Sequence, residues 1–581
     1  MSAHQDGARV AEAVGRALAA AGVGRVFGVV GSGNFHVTNA LAGAGVPFVA
    51  TRHEMGAATM ADAWSRTSGG IAAVSVHQGC GLTNALTGIT EAAKSRTSLL
   101  VLAADTATGD TLSNFHVDQP AVLAGLGIVS RTATSPRTAV REALRALWTA
   151  RTERRTVVLN LPLDVQEAPD PGDPGPVLPP APEPARPAPE AVERLAGLLR
   201  TARRPVFVAG RGARHAGAAL AALAERSEAL LATSAPARGL FAGNPWSIDV
   251  SGGFASPLTA ELVRDADLVV AWGASLNVWT TRNGELIDPS ATVVQVDVDG
   301  AAPGTHTRID LGVVGDAAVT AEAVDAALAE RPRTAPARRT PELRAEIARR
   351  VRWRDVPYDD TGTAELIDPR TLTVALDDLL PAERVVAPDG GNFNGYPAMF
   401  LDVPDERGFC LTLSFSSIGL SLATAIGAGM ASPGRVAVAG IGDGGFMMSA
   451  VELDTAVRHR VPLVVIVYND HAYGAEVHHF GPEGHPTRIV EFPETDIAAV
   501  ARGYGCGALS VRTADDLTGV RSWVDGDRSR PLVIDARITS FPSWLIAHAF
   551  TADLPDVDRL EGDSAAQLPN AETNCSAEPT R

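Results

Sequence analysis

Short apolar runs alternate with stretches of helical period along most of the chain. Residues 10–20 put their apolar positions on one helical face, and 25–30 form an apolar run ending in Gly31-Ser32-Gly33. The pattern then reads strand (48–51), small-residue helix (54–65), strand (71–76), helix (83–93) and strand (99–104). Apolar runs at 205–209, 268–272 and 292–296 continue it, as do those at 385–387, 436–441 and 463–468. Strands separated by helices predict parallel sheets with helices on both faces. The expected fold class is therefore α/β, with three consecutive doubly wound parallel-sheet domains at 1–168, 191–330 and 369–550. A proline-dense segment, 169–190, reads as a semi-rigid linker. Residues 331–368 are arginine-rich, helical at first and then linker-like, and 551–581 are polar and expected to be disordered.

Composition narrows the class. At 581 residues the chain is too long for a single core. With 45% hydrophobic and 20% charged residues it has the balance of a soluble, enzyme-sized protein. No stretch approaches the ~18–20 apolar residues of a membrane span. The polar N-terminus lacks a signal core, so a cytoplasmic location is expected. A net charge of −17 argues against nonspecific binding to nucleic acid or to anionic lipid. Cys80, Cys410, Cys506 and Cys575 are scattered without a CxxC and read as free thiols. Lys94 is the only lysine, so a Schiff base would have to use it, and its surroundings suggest neither that nor a phosphate loop.

One stretch carries candidate chemistry. Gly442-Asp443-Gly444-Gly445-Phe446 closes the run at 436–441, and a helix pattern at 449–459 and the run 463–468 lead on to Asn469-Asp470. Carboxylates at the ends of neighbouring strands are hard oxygen ligands suited to a divalent metal. Gly444 and Gly445 let backbone N–H groups approach a phosphate at the start of the following helix. An isolated Gly-Asp-Gly is usually an ordinary tight turn. The strand–turn–helix–strand–acid context is what favours a metal–phosphate site.

Set beside Arg52-His53-Glu54-Met55-Gly56-Ala57-Ala58, this motif resembles the thiamine-diphosphate-dependent superfamily of acetolactate synthase, pyruvate decarboxylase and benzaldehyde lyase. The resemblance covers nearly the whole chain before the tail. It implies a pyrimidine-binding, a central and a diphosphate-binding domain in that order, with thiamine diphosphate and Mg2+ as cofactors. By the same resemblance Glu54 is the catalytic glutamate, bonding the pyrimidine ring so that the thiazolium carbon can lose its proton. Asp443, Asp470 and the backbone carbonyl of Ala472 are the implied metal ligands, with Asn469 an alternative to Asp470. Gly442, Gly444 and Gly445 would lie against the diphosphate. Asn392 and Asn394, in Asp389-Gly390-Gly391-Asn392-Phe393-Asn394, match a loop of diphosphate donors. Ile418 stands where relatives often carry a methionine wedge that bends the cofactor. Gln119 resembles a catalytic-cleft glutamine of lyase-like members, and Glu476 falls where decarboxylases keep an acid near the reacting carbon. His53, His77, His116, His471, His478 and His479 are further candidate proton carriers.

Departures limit what the resemblance implies. Gly31-Ser32-Gly33-Asn34 lacks the aspartate of pyruvate decarboxylase and the histidine of benzaldehyde lyase, and no His-His pair precedes Gln119. Gln78-Gly79-Cys80-Gly81 differs from the usual Gly-Pro-Gly. Gly210-Arg211-Gly212 is incomplete against GxGxxG, so the FAD that acetolactate synthases hold in the central domain is open but not the expected reading. The expected function is that of an acetolactate-synthase-like carboligase acting on a 2-keto acid. A non-ligating 2-keto acid decarboxylase or C–C lyase is the alternative. From a different class, a catalytically silent cofactor-binding assembly subunit would not need Glu54 together with Asp443 and Asp470. Small-molecule carbonyl substrates, and a homodimer or homotetramer with the active site between subunits, complete the expectation.

Overall fold

A computed structural model describes residues 8–172 and 175–548; the expected tail at 551–581 lies outside the described residues. Three parallel sheets follow one another along the chain. The first contains β1 (Val23–Gly28), β2 (Phe48–Ala50), β3 (Ile71–Val76), β4 (Leu99–Asp105), β5 (Val129–Thr132) and β6 (Thr156–Pro162), in the order β2-β1-β3-β4-β6-β5. The second contains β7 (Pro205–Ala209), β8 (Leu230–Thr233), β9 (Ser247–Val250), β10 (Leu268–Trp272), β11 (Thr292–Asp297) and β12 (Leu311–Val314), ordered β12-β11-β10-β7-β8-β9. The third, β13-β14-β15-β17-β16, is built from β13 (Arg384–Pro388), β14 (Val436–Gly442), β15 (Leu463–Asn469), β16 (Gly507–Val511) and β17 (Leu532–Arg537).

Side chains along these strands divide between two faces, both covered, which is why the sequence shows continuous apolar runs rather than alternation. In β3, Ala72, Val74 and Val76 enter one core while Ile71 and Ala73 enter another. In β14, Ala437, Ala439 and Ile441 face one core and Val436 and Val438 the other. β1 stops at Gly28, short of the expected 25–30. The Asn34 amide donates to the Val29 carbonyl (3.1 Å) and its carbonyl accepts the Gly31 N–H (2.8 Å), drawing the chain out of the ladder. β5 and β6 escape the pattern because Ser130, Arg131 and Asn160 interrupt their apolar positions. The helix expected at 449–459 instead starts at Asp443, runs to Ser449, and is broken by a tight turn at Ala450–Glu452 before Leu453–Arg458.

The inner faces of the first and third sheets look into one shared core, which joins Phe27, Met60 and Ile89 to Leu422, Ile426 and Phe446. The central sheet has cores of its own. Helix Glu54–Ser68 lies between helices Cys80–Lys94 and Ser421–Ala431, and small residues let them approach: Ala57, Ala58, Ala61 and Ala63 on the first, Gly88 on the second, Ala425 and Ala428 on the third. At Gly427 a Cβ would run into the Met60 carbonyl oxygen. Charges inside this junction are matched. Arg66 pairs with Asp62 (3.1 Å) and Glu91 (3.9 Å), and the Glu91 carboxylate accepts the Ser414 (3.1 Å) and Phe415 (2.7 Å) N–H groups. No helix among the described residues is long and apolar enough to cross a membrane.

Gly427→Val should force the two helices apart. Overpacking of this kind costs about 1–3 kcal/mol, so thermal denaturation of the variant should show a clearly lowered midpoint. An unchanged midpoint would mean that the contact is loose.

Candidate active site

β14 ends at Gly442, and the helix starting at Asp443 puts its first turn at the rim of a cavity of about 2490 Å³. Asp389, Asn394, Ile418, Gly444, Ala472 and Glu476 are among its walls. Backbone packing explains the glycines. A Cβ on Gly444 would meet the Tyr473 ring, and one on Gly445 the Asp389 carboxylate.

Asp443 is buried, its Oδ1 has no partner, and burial pushes its carboxyl up to about 6. Asp470 follows β15; burial first, and then the nearby Asp443 charge, pushes its carboxyl up to about 8. A buried and a half-buried carboxylate that repel each other, one with an open oxygen, form a donor set a divalent cation would neutralise. Among the described residues no cluster of three or more His, Cys, Asp or Glu forms a complete cage. This suits a cation that takes one or two carboxylates and fills its remaining positions with phosphate and water. Asn469 is engaged elsewhere: its amide donates to Asp535 (2.8 Å) and its carbonyl accepts the His471 N–H (3.3 Å). The turn presenting Ala472 is pinned by Tyr473 N–H to Val490 O (2.9 Å) and Phe492 N–H to His471 O (2.6 Å).

Ile418 lies over the Gly390-Gly391 turn, its Cγ2 at 3.1 Å from where a Gly390 Cβ would stand. Asp389 aims it. Its carboxylate accepts N–H groups from Gly419 (2.8 Å), Leu420 (3.0 Å) and Ser421 (3.1 Å), while burial pushes the group up to about 6. Sequence reasoning missed this role; a carboxylate next to two glycines is its only signal. The two asparagines of the loop differ. Asn392 donates to Phe541 O (2.9 Å) and accepts from Ser543 N–H (2.7 Å), which ties down the segment at 541–543. Asn394 keeps a buried Oδ1 without a partner. Glu476 is exposed on the cavity wall, with His479 on the same short helix.

Glu54 begins its helix, nearly buried, and its Oε2 accepts a hydrogen bond from the Asn84 amide (3.1 Å). Asn84, one turn into helix Cys80–Lys94, also escapes sequence reasoning, since a lone amide after Gly-Cys-Gly-Leu-Thr gives little signal. The residues lining the cavity include Gly442, Gly444 and Ala472 but not the Glu54, Asp443 or Asp470 side chains. Gln119 requires a correction, because it is fully buried and reaches no cleft. Its amide donates to Ala104 O (3.2 Å) and Asn160 (3.1 Å), and its carbonyl accepts the Gly79 N–H (3.3 Å), so it anchors the Gly79 turn.

The histidines scatter. His53 caps helix Glu54–Ser68 through the Met55 N–H (3.1 Å), and the His471 ring lies 2.6 Å from Arg537. His116 makes a long contact to Thr106 (3.4 Å). Burial lowers His77, against the pull of the Glu54 charge. Burial, and then His479, push His478 down to about 4. In the central domain, Gly210 N–H donates to Trp272 O (2.8 Å) and Gly212 N–H to Gly273 O (3.1 Å). The turns after β7 and β10 therefore pack backbone on backbone.

Comparison with known proteins agrees with this geometry. Family models of thiamine pyrophosphate enzymes match along the chain: the N-terminal TPP binding domain over residues 8–122, the central domain over 192–324 and the C-terminal TPP binding domain over 389–536. A Pseudomonas aeruginosa protein named as a probable 2-ketoarginine decarboxylase is 33% identical over 524 residues, covering 87% of this chain and 90% of its own. A sulfoacetaldehyde acetyltransferase of Alcaligenes xylosoxydans xylosoxydans is 28% identical over 501 residues (80% and 81%). The acetolactate synthase isozyme 3 large subunit of Escherichia coli is 28% identical over 485 residues (80% and 82%).

Asp470→Asn should relieve the buried repulsion. With EDTA, its melting midpoint is expected to match or exceed that of the unmodified protein, and the rise on adding Mg2+ with inorganic diphosphate should be lost. A midpoint that falls in EDTA while the Mg2+ response survives would contradict the paired-carboxylate site.

Proposed function

The chain belongs to the thiamine pyrophosphate enzyme family, and from that premise we propose that it is a thiamine-diphosphate- and Mg2+-dependent carboligase. It would break the bond between the carbonyl and the carboxylate of a 2-keto acid and pass the remaining acyl unit to a second carbonyl compound. One observation carries the reading: Asp443 with its open oxygen, and Asp470 close enough to feel its charge, flank Gly444 and Ala472, which line the cavity that also holds Ile418 and Glu476. When bound, thiamine diphosphate supplies a nucleophilic carbon and an electron sink for breaking bonds beside a carbonyl.

Each residue then has a defined task. Asp443 and Asp470 would hold the metal, with Ala472 offering its carbonyl, and the N–H groups at Gly444 and Gly445 would be available to phosphate oxygens. Asn394, whose Oδ1 is open, would offer its amide N–H groups to the same end. Ile418 is the apolar wedge, aimed by Asp389. Glu54, its Oε2 held by the Asn84 amide, would be the residue to share a proton with the pyrimidine ring. Glu476 and His479 carry protons at the open side of the cavity.

As the family resemblance implies, the reading includes a partner subunit whose Glu54 completes the site at Asp443. The assembly is a homodimer or a homotetramer. Met447, Met448 and Val451, just after Asp443, and Phe35 and Phe115 of the first domain are exposed apolar side chains that such a partner would cover. The second reading, a non-ligating 2-keto acid decarboxylase, is favoured by Glu476, an exposed acid placed to protonate a carbon in the cavity.

A panel of 2-keto acids, with and without acceptor aldehydes and followed by mass spectrometry, separates the two: acyloin products for the first, free aldehyde alone for the second. In either case Glu54→Gln should lower kcat by at least about a hundredfold while thiamine diphosphate still raises the melting midpoint. A fully active Glu54→Gln would overturn the assignment of Glu54. Light scattering of the active protein should give a dimer or larger, and an active monomer would contradict the shared site.

A further inference from the structure

The catalytic turn of the first domain is held by the third. Glu452 sits at the end of the tight turn Ala450–Glu452, which directly continues the helix that begins at Asp443. Its side chain is 2% exposed, and its carboxylate leaves its own domain to meet the backbone between β2 and helix Glu54–Ser68. The His53 N–H donates to Oε1 (2.9 Å), and the Arg52 N–H is shared by Oε1 (3.2 Å) and Oε2 (3.3 Å). The Thr455 hydroxyl donates to Oε2 at 2.6 Å and fixes the carboxylate from behind. Gly56 leaves room for this, since a Cβ there would overlap Oε1. Around the carboxylate the latch repeats: Arg52 pairs with Asp454 (2.6 Å), Asp454 with Arg458 (2.7 Å), and Arg458 donates to Ala50 O (2.6 Å).

Ordinary packing does not require such an arrangement. Unpaired amides at residues 52 and 53 could reach water, yet a carboxylate is buried to receive them, at the cost of taking that charge out of water. Burial pushes the carboxyl above its usual range, and the Thr455 hydroxyl and the two amides pull the other way. The amides it grips belong to the two residues immediately before Glu54.

We propose that Glu452 is a positioning residue for the reaction, whose hydrogen bonds to the Arg52 and His53 amides fix the direction in which Glu54 is presented. It touches neither substrate nor cofactor. Because the segment that begins at Asp443 ends at Glu452, the grip on one cofactor's metal end is mechanically continuous with the aim of Glu54. The proposal rests on the role of Glu54 as the residue that bonds the pyrimidine ring.

The test uses the full-length protein. Glu452→Ala should make the amides of residues 52 and 53 exchange at least about tenfold faster in the apoprotein, read by hydrogen–deuterium exchange. It should lower kcat by about 10- to 100-fold, the usual effect of misplacing a catalytic group by about an ångström. The KM for the 2-keto acid and the half-saturating thiamine diphosphate concentration should stay within about twofold, since no residue that binds either is touched. Glu452→Gln, which can still accept from the amides and donate to Thr455, should restore kcat to within about threefold of the unmodified enzyme. If Glu452→Ala does not fold, Thr455→Val frees the carboxylate more gently and should show the same split at about threefold. Unchanged exchange at residues 52 and 53 with unchanged kcat overturns the proposal, as does an equal loss in kcat and cofactor affinity that Glu452→Gln does not rescue. A fully active Glu54→Gln would instead sink the functional reading, so the two failures are distinguishable.

Discussion

Helix Glu54–Ser68 is closed in by protein along most of its length, and the rest of the active-site geometry depends on that enclosure. It has helix Cys80–Lys94 on one side and Ser421–Ala431 on the other, packed through alanine and glycine closely enough that side chain meets backbone. Interiors this dense do not deform gradually. The first and third sheets are therefore held at a set spacing, and the carboxylate at the helix N-terminus takes its position from both. Helix starts and loops at such a junction can present Glu54, Asn84, Asp389 and Ile418 reproducibly because the scaffold beneath them is one core.

Electrostatics separates framework from site. Within the framework, several buried charges meet opposites: Arg66 with Asp62 and Glu91, Arg384 with Asp377, and Arg370 with Asp368 (2.6 Å). Removing one member would leave an uncompensated buried charge, which is strongly destabilising. The end of β14 differs: burial first, and then the Asp443 charge, raise Asp470, and the Asp443 Oδ1 stays without a partner.

Much of this was legible in the sequence, for physical reasons. Strands buried on both faces write themselves as apolar runs, so β3, β7 and β10 could be bounded from the pattern alone. Strands that carry polar ladders, β5 with Ser130 and Arg131 and β6 with Asn160, could not. Asp443 and Asp470 were visible because a metal–phosphate site concentrates glycine and acid in a short stretch. Asn84, Asp389 and Glu452 were not, because each acts through a contact made only after folding; Glu452 lies 400 and 399 positions from the amides it grips. Gln119 failed for the converse reason. An amide beside a cleft motif and an amide buried beneath it look alike in sequence, and only the three hydrogen bonds of Gln119 reveal it as an anchor.

The central claim is that the cavity at Asp443 is completed by Glu54 of another subunit, and mixing two inactive variants tests it most directly. Subunits carrying Glu54→Gln are dissociated and reassembled with subunits carrying Asp443→Asn, and turnover of a 2-keto acid is followed. If the sites are shared, each mixed pair combines an intact Glu54 from one chain with an intact Asp443 from the other, and activity returns from two silent preparations. If mixed assemblies form and stay silent, both residues serve one chain's own site, and the shared cleft is refuted.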